Sequence, residues 1–472
     1  MSRITIDETS PSGEVLNTYV MTQSGGIETT GSSRNSPSST GRIDVVPPDP
    51  LKPAASSFPP PTTVFRRLLE PFLPVGYPDS VSPDYTPYQI YDSLQALFST
   101  TASLLASRAV LTTLGVGSSD ATTSFAMYLS IAQSTLSNVT SILFAHRFST
   151  AIAGHVKFFR FFADIVNDSA FVLDVLSPSL PPWGRVPALC AASCCRAVCG
   201  VAGGASKAIL SGHFAKGGNV GELAAKDGSQ EVLVNLVGMW IGGFVVGRIE
   251  GPLVTWGVLL VLLAGHLWAN WAAVSSVRLR TLEGGRMAMV GARLMEGSGV
   301  SVEEVGREES ILLDVAQTGR KNMPLRLRGK VVGTCCFGGV RGLLACAGWS
   351  SQAGDRAYVG DAPSLRSLIE IFQEENYLLW WDWKARRCVV LLKGGGDVAA
   401  QLKAMCHAFR ICGTVGHDTE RKTALDIIRE TLVINRAEWS RLSTAVRVGG
   451  WKFETSDSMA GSGTRFEVRP SK

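Results

Sequence analysis

The chain has 472 residues, a net charge of +5, 18 % charged residues and a mean hydropathy of +0.16. The length allows two or three domains, and the charged fraction lies below the roughly 25 % usual for a soluble domain. No long Lys/Arg run and no basic stripe with interleaved aromatics is present, so nucleic acid is not an expected partner.

The 10 cysteines, among them Cys190, Cys194, Cys195 and Cys199, include no CxxC pair and no Cys/His spacing typical of zinc. They read as reduced packing thiols, with no metal and no cofactor expected. Residues 1–30 lack both a basic-then-apolar leader pattern and the acid-poor composition of a transit peptide.

Residues 1–62 are rich in Ser, Thr, Pro and Gly, a composition that predicts a disordered tail, with order beginning near Val64. Pro74, Pro78, Pro83 and Pro87 then force an extended lead-in, and Pro87 suits the first turn of a helix running to Leu114, where Gly115 and Gly117 break it. Ala121–Ala145 has no charged residue and would span ~37 Å as a helix. Its Ser, Thr, Gln and Asn content suits a helix facing other helices.

In Gly154–Leu176, the residues Lys157, Arg160, Asp164, Asn167 and Asp168 fall three and four apart, so they share one face of a helix. Ser177-Pro178 and Pro181-Pro182 end it. A small-residue helix from Val186 leads into Gly200–Glu231, rich in Gly and Ala, whose glycines suit close helix packing. Val232–Gly247, at ~24 Å, is short for a span, whereas uncharged Gly251–Val277, at ~40 Å, is ample. Trp256, Trp268 and Trp271 near its ends suit membrane interfaces. Basic residues outside this helix pair put its outer ends on the cytoplasmic side.

Past about Val300 the composition is that of a soluble domain. Leu365–Glu375 reads as a helix, Tyr377–Trp383 and Cys388–Lys393 as strands, and Asp397–Arg410 and Glu420–Val446 as helices. The expected architecture is mainly α: a tail (1–62), a membrane-embedded helical bundle (63–295), a linker (296–320) and a small α+β C-terminal domain (321–472). Cleavage between Met295 and Arg320 is expected to release that domain.

Several stretches resemble the root UVB sensitive (RUS) family. They are Pro74–Val81, Asp84-Tyr85, Tyr88-Gln89 and Asp92–Gln95, then Arg108–Leu111 and Gly115–Gly117, then Lys157, Arg160, Asp164 and Asn167-Asp168. The densest match is Gly200–Ala205, His213–Ala215, Asn219 and Ala225–Glu231, and Thr281-Leu282 with Arg286, then Glu375 with Tyr377–Leu379, extend it. Lys207 and Glu283 depart from the family's usual arginine and asparagine, and Gln133-Ser134-Thr135 stand where it has an Asp-Gly pair. The resemblance implies a domain of unknown molecular function, linked in plants to seedling development, ultraviolet-B responses and vitamin B6 balance, with plastid or membrane locations. It supplies no catalytic residues, and none is assigned.

The candidate polar site is Lys226, Asp227, Ser229, Gln230 and Glu231 with Arg160, Asp164, Asn167, Asp168 and His213. For the first group the alternative is helix capping by Asp227 or Ser229 before a helix starting near Glu231. For Asp164 and Asp168 it is a buried ion-pair stripe with Lys157 and Arg160, and for His213 a packing histidine. Three functions follow: a non-catalytic scaffold or partner-binding component, a carrier of a small polar metabolite related to vitamin B6, and an enzyme of unknown reaction. The scaffold stands first, because no catalytic constellation is visible. Membrane lipid and a second RUS-family chain, its own kind included, are the expected partners.

Overall fold

The computed structural model describes residues 3–9, 15–22, 42–46, 70–115, 123–312, 323–347, 365–414, 423–452 and 466. The expected start of order near Val64, the break at Gly117 and positions 313–320 of the expected linker lie outside them. The chain divides into two compact units: Met1–Tyr85 with Phe214–Leu236, and Thr86–His213 with Val237–Lys472.

In the first unit, β1 (Arg3–Thr9), β2 (Val15–Thr22) and β3 (Arg42–Val46) pair antiparallel in that order. Composition alone predicts disorder here, but averaging over 62 residues hides local alternation such as Ile4/Ile6 opposite Met21/Tyr19. A short 3-10 helix, Glu70–Phe72, opens the proline-rich lead-in. Val81 bridges Ala215, the Ser82 amide donates to the Phe214 carbonyl, and the Tyr85 and Phe214 rings meet edge-on at 5.6 Å.

Six long helices follow the lead-in: α1 (Tyr85–Thr113), α2 (Thr123–Gly154), α3 (Val156–Leu176), α4 (Pro182–Phe214), α5 (Val220–Arg248) and α6 (Pro252–Ser276). Their punctuation is local. Gly115 (φ 74°) follows α1, Ser177-Pro178 stop α3, and Gly251 (φ 82°) with Pro252 at the first helical position starts α6.

The mostly buried α3 is the axis of the second unit. Its Phe171 and Val175 pack with Ala102 and Ala106 of α1 and Leu259 and Leu263 of α6. Its Phe159 and Ala163 pack with Ile152 of α2 and Ala202 of α4. α4, α5 and α6 are long and apolar enough to cross a membrane.

The small α+β part has a mixed four-stranded sheet of β4 (Met323–Leu327), β5 (Lys330–Phe337), β6 (Tyr377–Asp382) and β7 (Arg387–Leu392), in the order β4-β5-β7-β6. Of its three strand pairs, β5 and β7 run parallel and the other two antiparallel. The β4–β5 turn puts Arg328 and Gly329 at φ 48° and 75°, as a two-residue hairpin loop requires. The helices are α7 (Gly284–Glu296), α8 (Val302–Glu308), α9 (Val340–Cys346), α10 (Leu365–Ile371), α11 (Val398–Thr414) and α12 (Ala424–Val448).

α7 and α8 belong to this core. Met287, Val290 and Leu294 of α7 and Val305 of α8 are buried in one cluster with Trp381, Val389, Met405 and Phe409. Residues 296–308, expected as linker, are therefore partly helix. Ser301 and Glu304 close a reciprocal capping box at the start of α8, a signature the composition reading passed over.

Candidate functional site

Helical spacing brings three sets of polar side chains together. Tyr88, Asp92 and Gln95 lie four and three apart on α1; Arg160, Asp164 and Asp168 lie four apart on α3; His266 and Asn270 lie four apart on α6. All sit inside the helical part of the second unit, where His266 and Asn270 are 1 % and 0 % exposed.

The Arg160 guanidinium is the hub. Its Nη2 lies 2.7 Å from Asp92 Oδ1 and 3.2 Å from Gln95 Oε1, and its Nη1 lies 3.0 Å from Asp164 Oδ2. Its Nε donates to the Tyr88 hydroxyl at 3.4 Å. Asp164 Oδ2 also accepts from Gln95 Nε2 at 2.5 Å and from Asn270 Nδ2. His266 Nδ1 lies 2.7 Å from Asp168 Oδ1, and its Nε2 lies 4.0 Å from Asp164 Oδ2, so the ring spans the two carboxylates.

Burying a charge is costly unless it is paired and hydrogen-bonded, and most of these groups meet that condition. Two acceptor atoms do not: Asp168 Oδ2 and Asn270 Oδ1 are buried and have no hydrogen-bond partner among the described residues. Three carboxylates face one guanidinium here, with the Lys207 ammonium near Tyr88 as a further positive charge.

Two further ion pairs flank the cluster on α3. Asp174 holds Arg196 of α4 at 2.7 Å, and Lys157 lies 2.7 Å from Glu309 Oε2. Glu309 also meets Arg286 at 2.8 Å. Burial raises the Glu309 carboxyl, and the charges of Arg286 and Lys157 outweigh it, holding it at about 2.

The stripe read from spacing is therefore real, but its members have different partners. Arg160 pairs with Asp164, as the ion-pair reading expected, whereas Lys157 and Asp168 pair elsewhere. Asn167 is half-buried and its side chain makes no hydrogen bond among the described residues, and His213 is half-buried in the last turn of α4. Sequence reasoning missed Asp92 and Gln95 as site members, and missed His266 and Asn270 altogether. The available signal was two polar residues one turn apart in an otherwise apolar helix.

The Lys226–Glu231 run belongs to the first unit. It lies inside α5, which begins at Val220, so Asp227 and Ser229 are not caps of a helix starting near Glu231. Lys226 Nζ donates to the Pro71 carbonyl at 2.7 Å, and Gln230 Nε2 donates to the Phe72 carbonyl at 2.5 Å. Glu222 accepts from the Val75 amide, Ser229 donates back to the Ala225 carbonyl, Asp227 is buried, and Glu231 is exposed. Lys226 and Gln230 thus fasten the lead-in to α5. Among the described residues no group of three or more His, Cys, Asp or Glu side chains is placed to hold a metal ion.

A mainly helical chain with a buried ionised network and an appended α+β core is the class these features define. Residues 60–298, just over half of the chain, match the family described as the vitamin B6 photo-protection and homoeostasis domain. The chain is 39 % identical over 258 residues to RUS family member 1 of Dictyostelium discoideum, covering 54 % of this chain and 49 % of that protein. It is 34 % identical over 251 residues to protein root UVB sensitive 3 of Arabidopsis thaliana, covering 53 % and 57 %. It thus spans about half the length of these relatives. No solved structure matches. The chain belongs to the RUS family.

Proposed function

We propose that this chain is a membrane-embedded carrier of a small polar solute, with vitamin B6 vitamers the first candidates. The observation that supports it is the cluster of Arg160, Asp164, Asp168, His266 and Asn270, buried between α3, α1 and α6, with α6 presenting an exposed apolar face on its other side. Val232, Met239, Trp240 and Phe244 of α5 and Leu253, Leu260, Val261 and Trp268 of α6 are all exposed, as expected of surfaces that face lipid. Ionisable groups inside such a bundle are expensive and mark substrate or proton paths. The two unpartnered acceptors and the surplus carboxylate favour a solute carrying a positive charge or moving with a proton. The family description motivates the choice of vitamers.

The scaffold reading, ranked first from the sequence, keeps one observation in its favour: most of the network is mutually satisfied. Uptake into proteoliposomes separates the two. Labelled pyridoxal, pyridoxine and pyridoxamine are offered to vesicles containing the purified full chain. Uptake of at least one is expected, falling at least about tenfold in Asp168→Asn at unchanged protein level and melting temperature, as for a path residue. Uptake no greater than in protein-free vesicles for all three would leave the scaffold.

A further inference from the structure

α3 and α6 meet in opposite order at the buried cluster, Asp164 against Asn270 and Asp168 against His266. Arg160 uses Nη1, Nη2 and Nε on Asp164, Asp92, Gln95 and Tyr88, and Asp164 Oδ2 is taken by Arg160, Gln95 and Asn270. Two acceptors are left over. The Asp168 carboxylate receives His266 Nδ1–H on Oδ1 and nothing on Oδ2 among the described residues. Asn270 Nδ2 faces two acceptors, Asp164 Oδ2 and the Arg160 carbonyl. That fixes which end of the amide is nitrogen, and it leaves Oδ1 as the orphan. Asp168 is 5 % exposed and Asn270 0 %, so bulk water reaches neither.

A buried acceptor without a donor is costly, and a buried carboxylate more so. What completes this pair must bring donors and no further acceptor. An alcohol brings one donor and two lone pairs of its own, whereas a protonated amine brings up to three donors, no acceptor and the charge opposite to Asp168. A quaternary ammonium has the charge and no donor. Two oxygens also fall short of the six or more that a hard divalent cation gathers.

We infer that the solute enters this cluster by a protonated nitrogen, whose N–H groups donate to Asp168 Oδ2 and Asn270 Oδ1. The inference rests on the carrier reading for its site and narrows the solute to N–H cations. Its test is binding and needs no transport. Binding without uptake would sink the carrier and keep the N–H cation site. Uptake without such binding would do the reverse.

The full chain in a neutral detergent is titrated at pH 7 with methylammonium, tetramethylammonium and methanol, and binding is followed by saturation-transfer NMR of the probe's methyl signal. So small a probe allows a millimolar Kd at best. Methylammonium is expected to saturate the protein in that range and to bind at least about tenfold more tightly than either of the others. Asp168→Asn, at unchanged melting temperature, is expected to weaken methylammonium at least about tenfold, as for a lost charge-assisted hydrogen bond. If that variant does not fold, Asn270→Ala serves instead, with a loss of about fivefold expected for one neutral acceptor. No saturable methylammonium binding below about 100 mM, binding by tetramethylammonium or methanol equal to it, or unchanged binding in the folded variant would each overturn the inference.

Discussion

Arg160 is a buried cation that the fold tolerates because Asp92, Asp164, Gln95 and Tyr88 surround it. Its spacing to Asp164 was legible, since four residues make one helical turn. Its partners on α1 and α6 were not, because sequence fixes which residues share a face and not which faces meet. The same limit hid the role of Lys226 and Gln230, whose acceptors at Pro71 and Phe72 are more than 150 positions away. A second buried residue, His407 of α11, lends itself to a pH measurement. Thr431 Oγ1 donates to the Ile427 carbonyl at 2.7 Å, so it receives its 3.0 Å contact from a protonated His407 Nε2. Nδ1 is then the acceptor for the Tyr377 hydroxyl at 3.3 Å. Burial pushes this imidazole down to about 3. The unfolded chain takes up the proton near 6.5 and the folded chain does not, so stability present above about 6.5 is lost as pH falls from there towards 3. Unfolding followed in denaturant is expected to show a midpoint lower at pH 5 than at pH 7. His407→Gln, which cannot take up the proton, should flatten that difference; a difference of wild-type size in the variant would clear His407 of the effect.

At the scale of elements, the positions of the helices were largely readable and their contact surfaces were not. Prolines and glycines placed the ends of α1, α3 and α6 to within a few residues. The polar run Lys226–Glu231 suggests a helix boundary near Glu231, but α5 begins eleven residues earlier, at Val220, and carries the run inside it. β4 and β5 went unread, although Arg328-Gly329 between Leu327 and Lys330 carries the chemistry of a tight hairpin. Close packing was expected of the Gly200–Gly204 run. There only Gly203 approaches a neighbour, with an added Cβ 3.6 Å from Ala163, while Gly200 and Gly204 have open space. Among the described glycines of α1–α6, the tight ones are Gly238 and Gly242 of α5, against Thr100, Thr101 and Leu104 of α1, and Gly265 of α6 against Phe98. A Cβ on Gly242 would stand 2.7 Å from Leu104 Cδ1 and 3.2 Å from the Thr101 Cα, whereas one on Gly243 would meet nothing within 4 Å. Gly242→Ala should therefore destabilise by about 1–3 kcal/mol, as overpacking does. Gly243→Ala should be neutral or stabilising by up to about 1 kcal/mol through helix propensity. Thermal melts of the two purified variants check this, and equal melting temperatures would contradict the α1–α5 contact.

At the scale of the whole molecule, the two-part plan of a helical region followed by an α+β region was legible from the change in composition. Its seam was not. The buried cluster around Trp381 and Phe409 includes Leu282, Met287, Val290 and Leu294, so a fragment starting at 321 leaves part of its own core behind. Downstream of α8, Ile311 is buried with Phe161 of α3 and Val274 of α6, and Glu309 holds Lys157. The α+β part is therefore tied to the helices that carry the buried cluster. The proposed carrier role depends on one physical claim, that the exposed apolar faces of α5 and α6 lie in lipid. The most direct measurement is alkaline carbonate extraction of cell membranes containing the full chain, followed by sizing of whatever is released. The protein is expected to stay with the membrane pellet, because covering Met239, Trp240, Phe244, Leu260 and Val261 with lipid is worth about 1.5–3 kcal/mol for each large side chain. Release of the intact chain as a soluble monomer would contradict it.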